Sequence, residues 1–121
     1  KKILAQIKPH SFERAINNLI SNSLKYSSEI IISTSCEEKE IILTIEDNGK
    51  GIDKKERSLV FKPFYRADKS RSLDKISSVG LGLAITKEII SAHFGSISLG
   101  KSRKLNGLSA KIILPLKKTT K

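Results

Sequence analysis

The chain has 121 residues, 38% of them apolar and 29% charged, with a formal net charge of +11. That length holds one domain with a single core, and that balance excludes a disordered tail. No apolar run approaches the ~20 residues of a bilayer span, and the lone cysteine, Cys36, excludes an internal disulfide and suits a reducing cytoplasm.

In chain order, residues 3–7 predict a short first strand, stopped by Pro9. A continuous helical period predicts a helix over about 12–26, capped by Ser11 or a neighbour. Steps of 100° put Phe12, Ile16, Leu19, Ile20 and Leu24 in one sector, the core stripe. Asn18, Asn22 and Lys25 gather on another sector at i, i+4 and i+7, with Tyr26 at the border. Residues 30–35 are rich in β-branched side chains and 41–46 are strongly apolar; the polar run Glu37-Glu38-Lys39-Glu40 between them makes the pair a hairpin.

Asp47-Asn48-Gly49-Lys50-Gly51 ends the second strand in a loop. Residues 53–78 are charged and weakly periodic, with a short helical possibility around 54–61; a segment of that length inside a compact domain marks function or mobility. A second helix is predicted over 80–93, with Leu81, Ile85, Ile89 and Ala92 on one face. Strands at 96–99 and 108–114, separated by 101–107, close the chain. The fold class is α+β, with two or three helices on one face of a mixed, mainly antiparallel sheet of about five strands.

Charge is unevenly spread. Acids exceed bases by four over 30–49, bases exceed acids by five over 50–76, and 101–121 holds seven bases and no acid. Such an excess fits a nucleic acid, an anionic membrane surface, a polyanion such as a nucleotide, or plain solubility. Base stacking would call for exposed aromatics on a strand. With two tyrosines, four phenylalanines and no aromatic-basic interleaving, a nucleic-acid module is a remote alternative.

Three elements carry chemistry. Two amides and an ammonium aligned away from a helix core offer an oxygen for a hard cation and a charge for phosphate, or form an ordinary solvated face. The paired glycines at 49 and 51 let the backbone turn and a ligand approach, and the carboxylate at 47 can accept from an exocyclic amine; a tight turn alone would look similar. Gly80-Leu81-Gly82-Leu83 opens a helix whose N–H groups suit an anion, or whose small residues serve packing against the sheet. Between the last two lie Lys62, Arg66, Lys69 and Arg71, available for phosphate charge or merely solvated.

The order of these elements resembles the histidine-kinase branch of the GHKL ATPases. The N box resembles Asn18 through Ser27, the G1 box Asp47 through Gly51, the F box Phe61-Lys62-Pro63-Phe64-Tyr65-Arg66, and the G2 box Gly80 through Leu83. All four stand in family order and spacing across nearly the whole chain. The likeness is strongest to EnvZ-type osmosensor kinases, around Ile7-Lys8-Pro9 and Gly107-Leu108-Ser109. It implies a two-layer Bergerat α/β sandwich over 1–121, with about three helices and an ATP lid at about 53–79.

The implied cofactors are ATP and Mg²⁺. Asn22 is then the metal ligand, supported by Asn18, with Lys25 on phosphate and these three as the catalytic set. Tyr26 lies against base or ribose, Asp47 reads the adenine amine, and Gly49 and Gly51 make room for the ring. Phe61 and Phe64 anchor the lid, Gly80 and Gly82 admit the triphosphate, and Ile52, Arg66, Leu81 and Leu83 complete the nucleotide-binding set. The implied partners are a phosphoacceptor and dimerisation domain outside this chain, homodimeric in the native protein, and a response regulator. The domain alone is expected to be monomeric and cytoplasmic, within a protein of the bacterial inner membrane.

The resemblance also separates two reactions. The gyrase and chaperone branch carries a water-activating glutamate four residues before the magnesium asparagine, where this chain has Asn18. An amide is no base at neutral pH, and Glu13 points nearly opposite Asn22, so ATP hydrolysis is expected to be slow or absent. His10 lacks the surroundings of a phosphoacceptor box, and His93 closes a helix where a cation would complement the dipole. Both are expected to be structural. Ser23 replaces the usual small residue after Asn22, and Ser78 replaces a usual glycine before Gly80. An anti-sigma serine kinase and a nucleotide-binding pseudokinase are the alternatives within the family.

Overall fold

The computed structural model describes residues 7–62 and 82–116. Helix α1 spans Pro9–Tyr26, and strands β1 (Ile30–Glu37) and β2 (Glu40–Asp47) follow as an antiparallel hairpin. Two 3-10 turns, Lys54–Glu56 and Leu59–Phe61, stand where a short helix was expected. Helix α2 spans Gly82–Ala92, then β3 (Ser96–Lys101) and β4 (Leu108–Pro115) form a second antiparallel pair. Strand β4 inserts beside β2, giving the order β1-β2-β4-β3.

Among the described residues the sheet therefore has four strands, all pairs antiparallel, where a mixed sheet of about five was expected. The expected first strand at 3–7 falls almost wholly outside the described residues. Helix α1 starts earlier than its predicted cap. Pro9 occupies the first turn, where a missing N–H costs nothing, and Lys8 is the N-cap without a side-chain bond.

Register explains the layering. Leu43 pairs with Ile112, Ile45 with Ala110 and Ile97 with Ile112, so these side chains share one face. Ile45, Ala110 and Ile112 with Ala15 and Leu19 of α1 and Ile90 of α2 form the buried core, and Leu43 and Ile97 pack against it. The alternate positions Ser33, Thr44, Lys111 and Ser98 line the opposite face in a polar row. Both helices thus lie on one side of an open sheet.

Two predicted helix faces shift by one position. In α1 the buried line is Ala15, Leu19 and Ser23, flanked by Phe12, Ile16 and Ile20, while Leu24 is 54% exposed. In α2 the buried line is Thr86 and Ile90; Ile85 and Ile89 are half-buried and Ala92 is exposed, while Leu81 lies outside the described residues. The helices pack on each other as well as on the sheet, so each must turn a small or polar residue to its neighbour. A single wheel sees only one of those two partners.

At the end of the helix pair formed by the α1 N-terminus and the α2 C-terminus, His93 is buried. Its Nε2 accepts from the Lys8 backbone N–H at 2.8 Å, and Nδ1–H donates to the Ile89 carbonyl at 2.8 Å. Phe12 meets the ring edge-on at 5.7 Å. The imidazole is a hydrogen-bonded bridge between helices rather than a charge at a helix end, which corrects half of its expected role and keeps the structural half. Phe94 follows with φ 64° and is 88% exposed.

Candidate nucleotide site

At the other end of the helix pair, β2 finishes on Asp47, two residues from the core residue Ile45 and so on the helix side of the sheet. Asp47 is only 4% exposed. Its Oδ1 accepts from the Gly49 N–H at 2.9 Å and from the Leu108 N–H at 3.0 Å. Among the described residues, nothing donates to Oδ2. A buried carboxylate oxygen without a donor is costly unless a ligand supplies one.

The turn after Asp47 is held close to its neighbours. A Cβ on Gly49 would stand 2.8 Å from the Tyr26 carbonyl oxygen, and Gly51 has φ +74°, so each glycine answers a different constraint. Gly107, at the start of the β4 side, would place a Cβ 2.6 Å from Asp47 Oδ1 and 2.6 Å from the Gly49 nitrogen. Asn48 clasps the turn to the end of α1. Its Oδ1 accepts from the Ser28 and Glu29 N–H groups at 3.0 and 3.1 Å, and its Nδ2 donates to Ser28 Oγ at 3.1 Å.

That clasp brings the turn against the last turns of α1, where Asn22 is half-buried and Lys25 and Tyr26 are exposed. The Lys50 ammonium lies 5.9 Å from the Tyr26 ring centroid. Nothing among the described residues hydrogen-bonds the Asn22 amide. Asn18 Nδ2 donates to Thr86 Oγ1 at 3.4 Å, tying this face of α1 to the buried side of α2. Glu13 is exposed and Ser23 is on the core side, both as expected.

Helix α2 begins at Gly82, where an added Cβ would meet no described atom within 4 Å. Packing against the described residues does not require that glycine. Leu83 instead packs on the core. The 3-10 turn before residue 62 is anchored by buried Val60, and the Lys87 ammonium lies 5.2 Å from the Phe61 ring centroid. The Ile52 carbonyl accepts from Arg57 Nε at 2.9 Å. Phe64, Arg66, Gly80 and Leu81, with Lys69, Arg71 and Ser78, lie outside the described residues.

The structure thus joins the end of α1, the Asp47 turn and the β4 entrance, and ties the same face of α1 to α2 through Asn18 and Thr86. Asn48, Thr86, Gly107 and the Leu108 N–H were not singled out for this site by sequence reasoning. Family likeness alone gave a sign of them, through Asn48 inside the G1 box and through the Gly107-Leu108-Ser109 stretch. Among the described residues no group of three or more His, Cys, Asp or Glu side chains could hold a metal unaided. An unpaired amide beside a polyphosphate is a fitting partner for Mg²⁺, which keeps waters and phosphates in its shell.

The sequence and the fold are matched among known proteins. The histidine kinase-, DNA gyrase B- and HSP90-like ATPase family matches residues 7–118. The chain belongs to that family. Its histidine-kinase branch is shown by the histidine kinase domain of the E. coli osmosensor EnvZ, 36% identical with TM-score 0.67 over 97% of this chain and 71% of that one. The mycobacterial sensor histidine kinase MprB is 27% identical with TM-score 0.76, over 93% of this chain and 74% of that chain. The sensor histidine kinase CpxA of E. coli K12 is 36% identical over 111 residues, 91% of this chain and 24% of CpxA.

The chain spans about a quarter of the length of such full-length relatives. The α+β sandwich with an open antiparallel sheet is the fold of this family's histidine-kinase ATP-binding domains. No helix among the described residues is long and apolar enough to cross a membrane.

Proposed function

We propose that this domain binds Mg-ATP and presents its γ-phosphoryl group to a histidine on a separate phosphoacceptor and dimerisation domain. The observation that carries this reading is the Asp47 carboxylate. One oxygen is fixed by two backbone N–H groups and the other is left for a donor such as the adenine amine. Gly49 and Gly107 let the turn and the neighbouring loop close on that carboxylate, where a Cβ would meet the Tyr26 carbonyl or Asp47 itself.

From that anchor the phosphates run toward Asn22, Lys25 and the N-terminus of α2, whose N–H groups favour anions. Asn22 would offer its amide oxygen to Mg²⁺, and Asn18, fixed by Thr86, would support the same site. When bound, the ion neutralises charge on the phosphates during transfer. Tyr26 would lie along base or ribose, and Phe61, with Phe64, would anchor the lid. The phosphoryl group leaves ADP and is taken up by an imidazole nitrogen. The domain supplies positioning rather than a nucleophile.

Asn18 also decides what the domain does not do well. It stands where a hydrolase would carry a carboxylate, and its amide is engaged with Thr86 rather than with a water-activating base. The domain therefore holds ATP for an imidazole and spares it from water. The partners in this scheme are the phosphoacceptor domain of the same protein, as a dimer, and then a response regulator, on the cytoplasmic side of a membrane sensor.

The test is calorimetric titration of the domain with ATP, with and without Mg²⁺. Saturable binding, strengthened by Mg²⁺ and with negligible turnover, is the expected result. A folded domain that binds no ATP, or that hydrolyses it like a dedicated ATPase, would overturn the proposal. Transfer of labelled phosphate to a phosphoacceptor domain supplied in trans then tests the reaction itself.

A further inference from the structure

Glu46 precedes Asp47 on β2, and strand alternation turns its side chain to the opposite, open face of the sheet. An acid on an open face is ordinarily solvated, yet Glu46 is only 8% exposed. The cover is the loop between β3 and β4. Ser102, 1% exposed, donates from Oγ to Glu46 Oε1 at 2.7 Å. The same Oγ accepts from the Leu105 N–H at 2.9 Å. The Ser102 N–H donates to the Gly107 carbonyl at 2.8 Å, and the Asn106 N–H to the Ser102 carbonyl at 2.9 Å.

The far side of that loop is the part that touches Asp47. Gly107 packs against the Asp47 backbone and carboxylate, and the next N–H, that of Leu108, is one of the two donors to Oδ1. The loop therefore wraps the end of the sheet. It is tied to Glu46 on one face and orients Asp47 on the other. A desolvated carboxylate held by one hydroxyl is an expensive way to close a hairpin, and its position is accounted for by what the loop carries on its other side.

We infer that Glu46 and Ser102 are positioning residues for base recognition. They hold the loop so that Leu108 N–H and Gly107 fix Asp47 Oδ1 and leave Oδ2 aimed at an exocyclic amine. The inference rests on the proposed reading of Asp47 as the adenine contact. It extends the specificity apparatus to the face of the sheet turned away from the nucleotide.

The experiment compares two nucleotides by calorimetry: ATP, and the purine riboside triphosphate that lacks the 6-amino group. Ser102→Ala and Glu46→Ala are expected to weaken ATP about five- to tenfold, the worth of one hydrogen bond. The analogue should bind each variant about as it binds the parent domain. Ser102→Thr and Glu46→Gln keep a donor and an acceptor, and should restore the ATP preference. In Ser102→Ala the Leu108 amide should also exchange faster with solvent.

Equal losses for both nucleotides would reduce the pair to general scaffolding, and no loss for either would remove it; both outcomes overturn the inference. If Ser102→Ala does not fold, Glu46→Ala against Glu46→Gln decides by the same criterion. Asp47→Asn, measured alongside, separates the two claims. If it loses the ATP preference while Glu46 and Ser102 variants keep it, only the positioning role falls. If Asp47→Asn keeps the preference, the adenine contact falls and the positioning role with it.

Discussion

The two ends of the helix pair treat buried polar groups in opposite ways. At the α1 N-terminus, His93 uses both ring nitrogens, one toward each helix, and packs its ring on Phe12. At the α1 C-terminus, Asp47 is as deeply buried but satisfies one oxygen only, and the half-buried Asn22 amide has no described partner. The first end is complete as it stands. The second leaves a carboxylate oxygen and an amide without a described partner, where the proposed nucleotide and ion would bind. Satisfaction, more than burial or charge, separates the structural polar residue here from those proposed to bind ligand.

The contrast can be broken at either end. His93→Ala removes two hydrogen bonds and a ring contact, and should lower folding stability by about 3 kcal/mol. The folded fraction should keep its ATP affinity, as chemical denaturation paired with calorimetry would report. Asp47→Asn should do the reverse. The amide still accepts from Gly49 and Leu108, so the melting temperature should hold. An amine facing an amine should weaken ATP roughly 30- to 100-fold.

Asn22→Ala sharpens the comparison, since it removes an amide that bonds to nothing described. Stability should stay within about 0.5 kcal/mol, while the gain in ATP affinity from Mg²⁺ disappears. A large loss of stability would mean that the amide has a structural partner after all. The smallest effect is expected at Phe94, which pays for a left-handed conformation without burying its ring. Phe94→Gly should stabilise the domain by about 1 kcal/mol in a thermal melt and leave nucleotide binding alone.

Much of this was legible in the chain, and the failures share a cause. The four strands and two helices of the described residues were foreseen because their periods are local. Asn18, Asn22, Asp47 and Gly49 stood out because chemistry and motif order coincide there. The start of α1 was missed because Pro9 reads as a breaker, although it is well suited to a first helical position. Leu24 was placed in the core stripe yet is exposed, because two helices compete for that face.

Asn18 with Thr86, Asn48 with Ser28, Ser102 with Glu46 and Asp47 with Leu108 join residues 68, 20, 56 and 61 positions apart. No periodicity encodes such pairs, since they arise when strand order closes. The insertion of β4 beside β2 is what delivers Leu108 to Asp47.

Cys36 is the sole thiol of the chain, exposed on β1 opposite Ile41, whereas Asp47 sits opposite Ile30 at the other end of the same hairpin. Six residues of strand separate the two levels, about 20 Å at the usual rise. A maleimide dye would therefore attach at one defined place, clear of the Asp47 turn and within energy-transfer range of a fluorescent nucleotide held there. The domain carries its own labelling handle, and no cysteine would have to be removed or introduced to watch nucleotide arrive and leave.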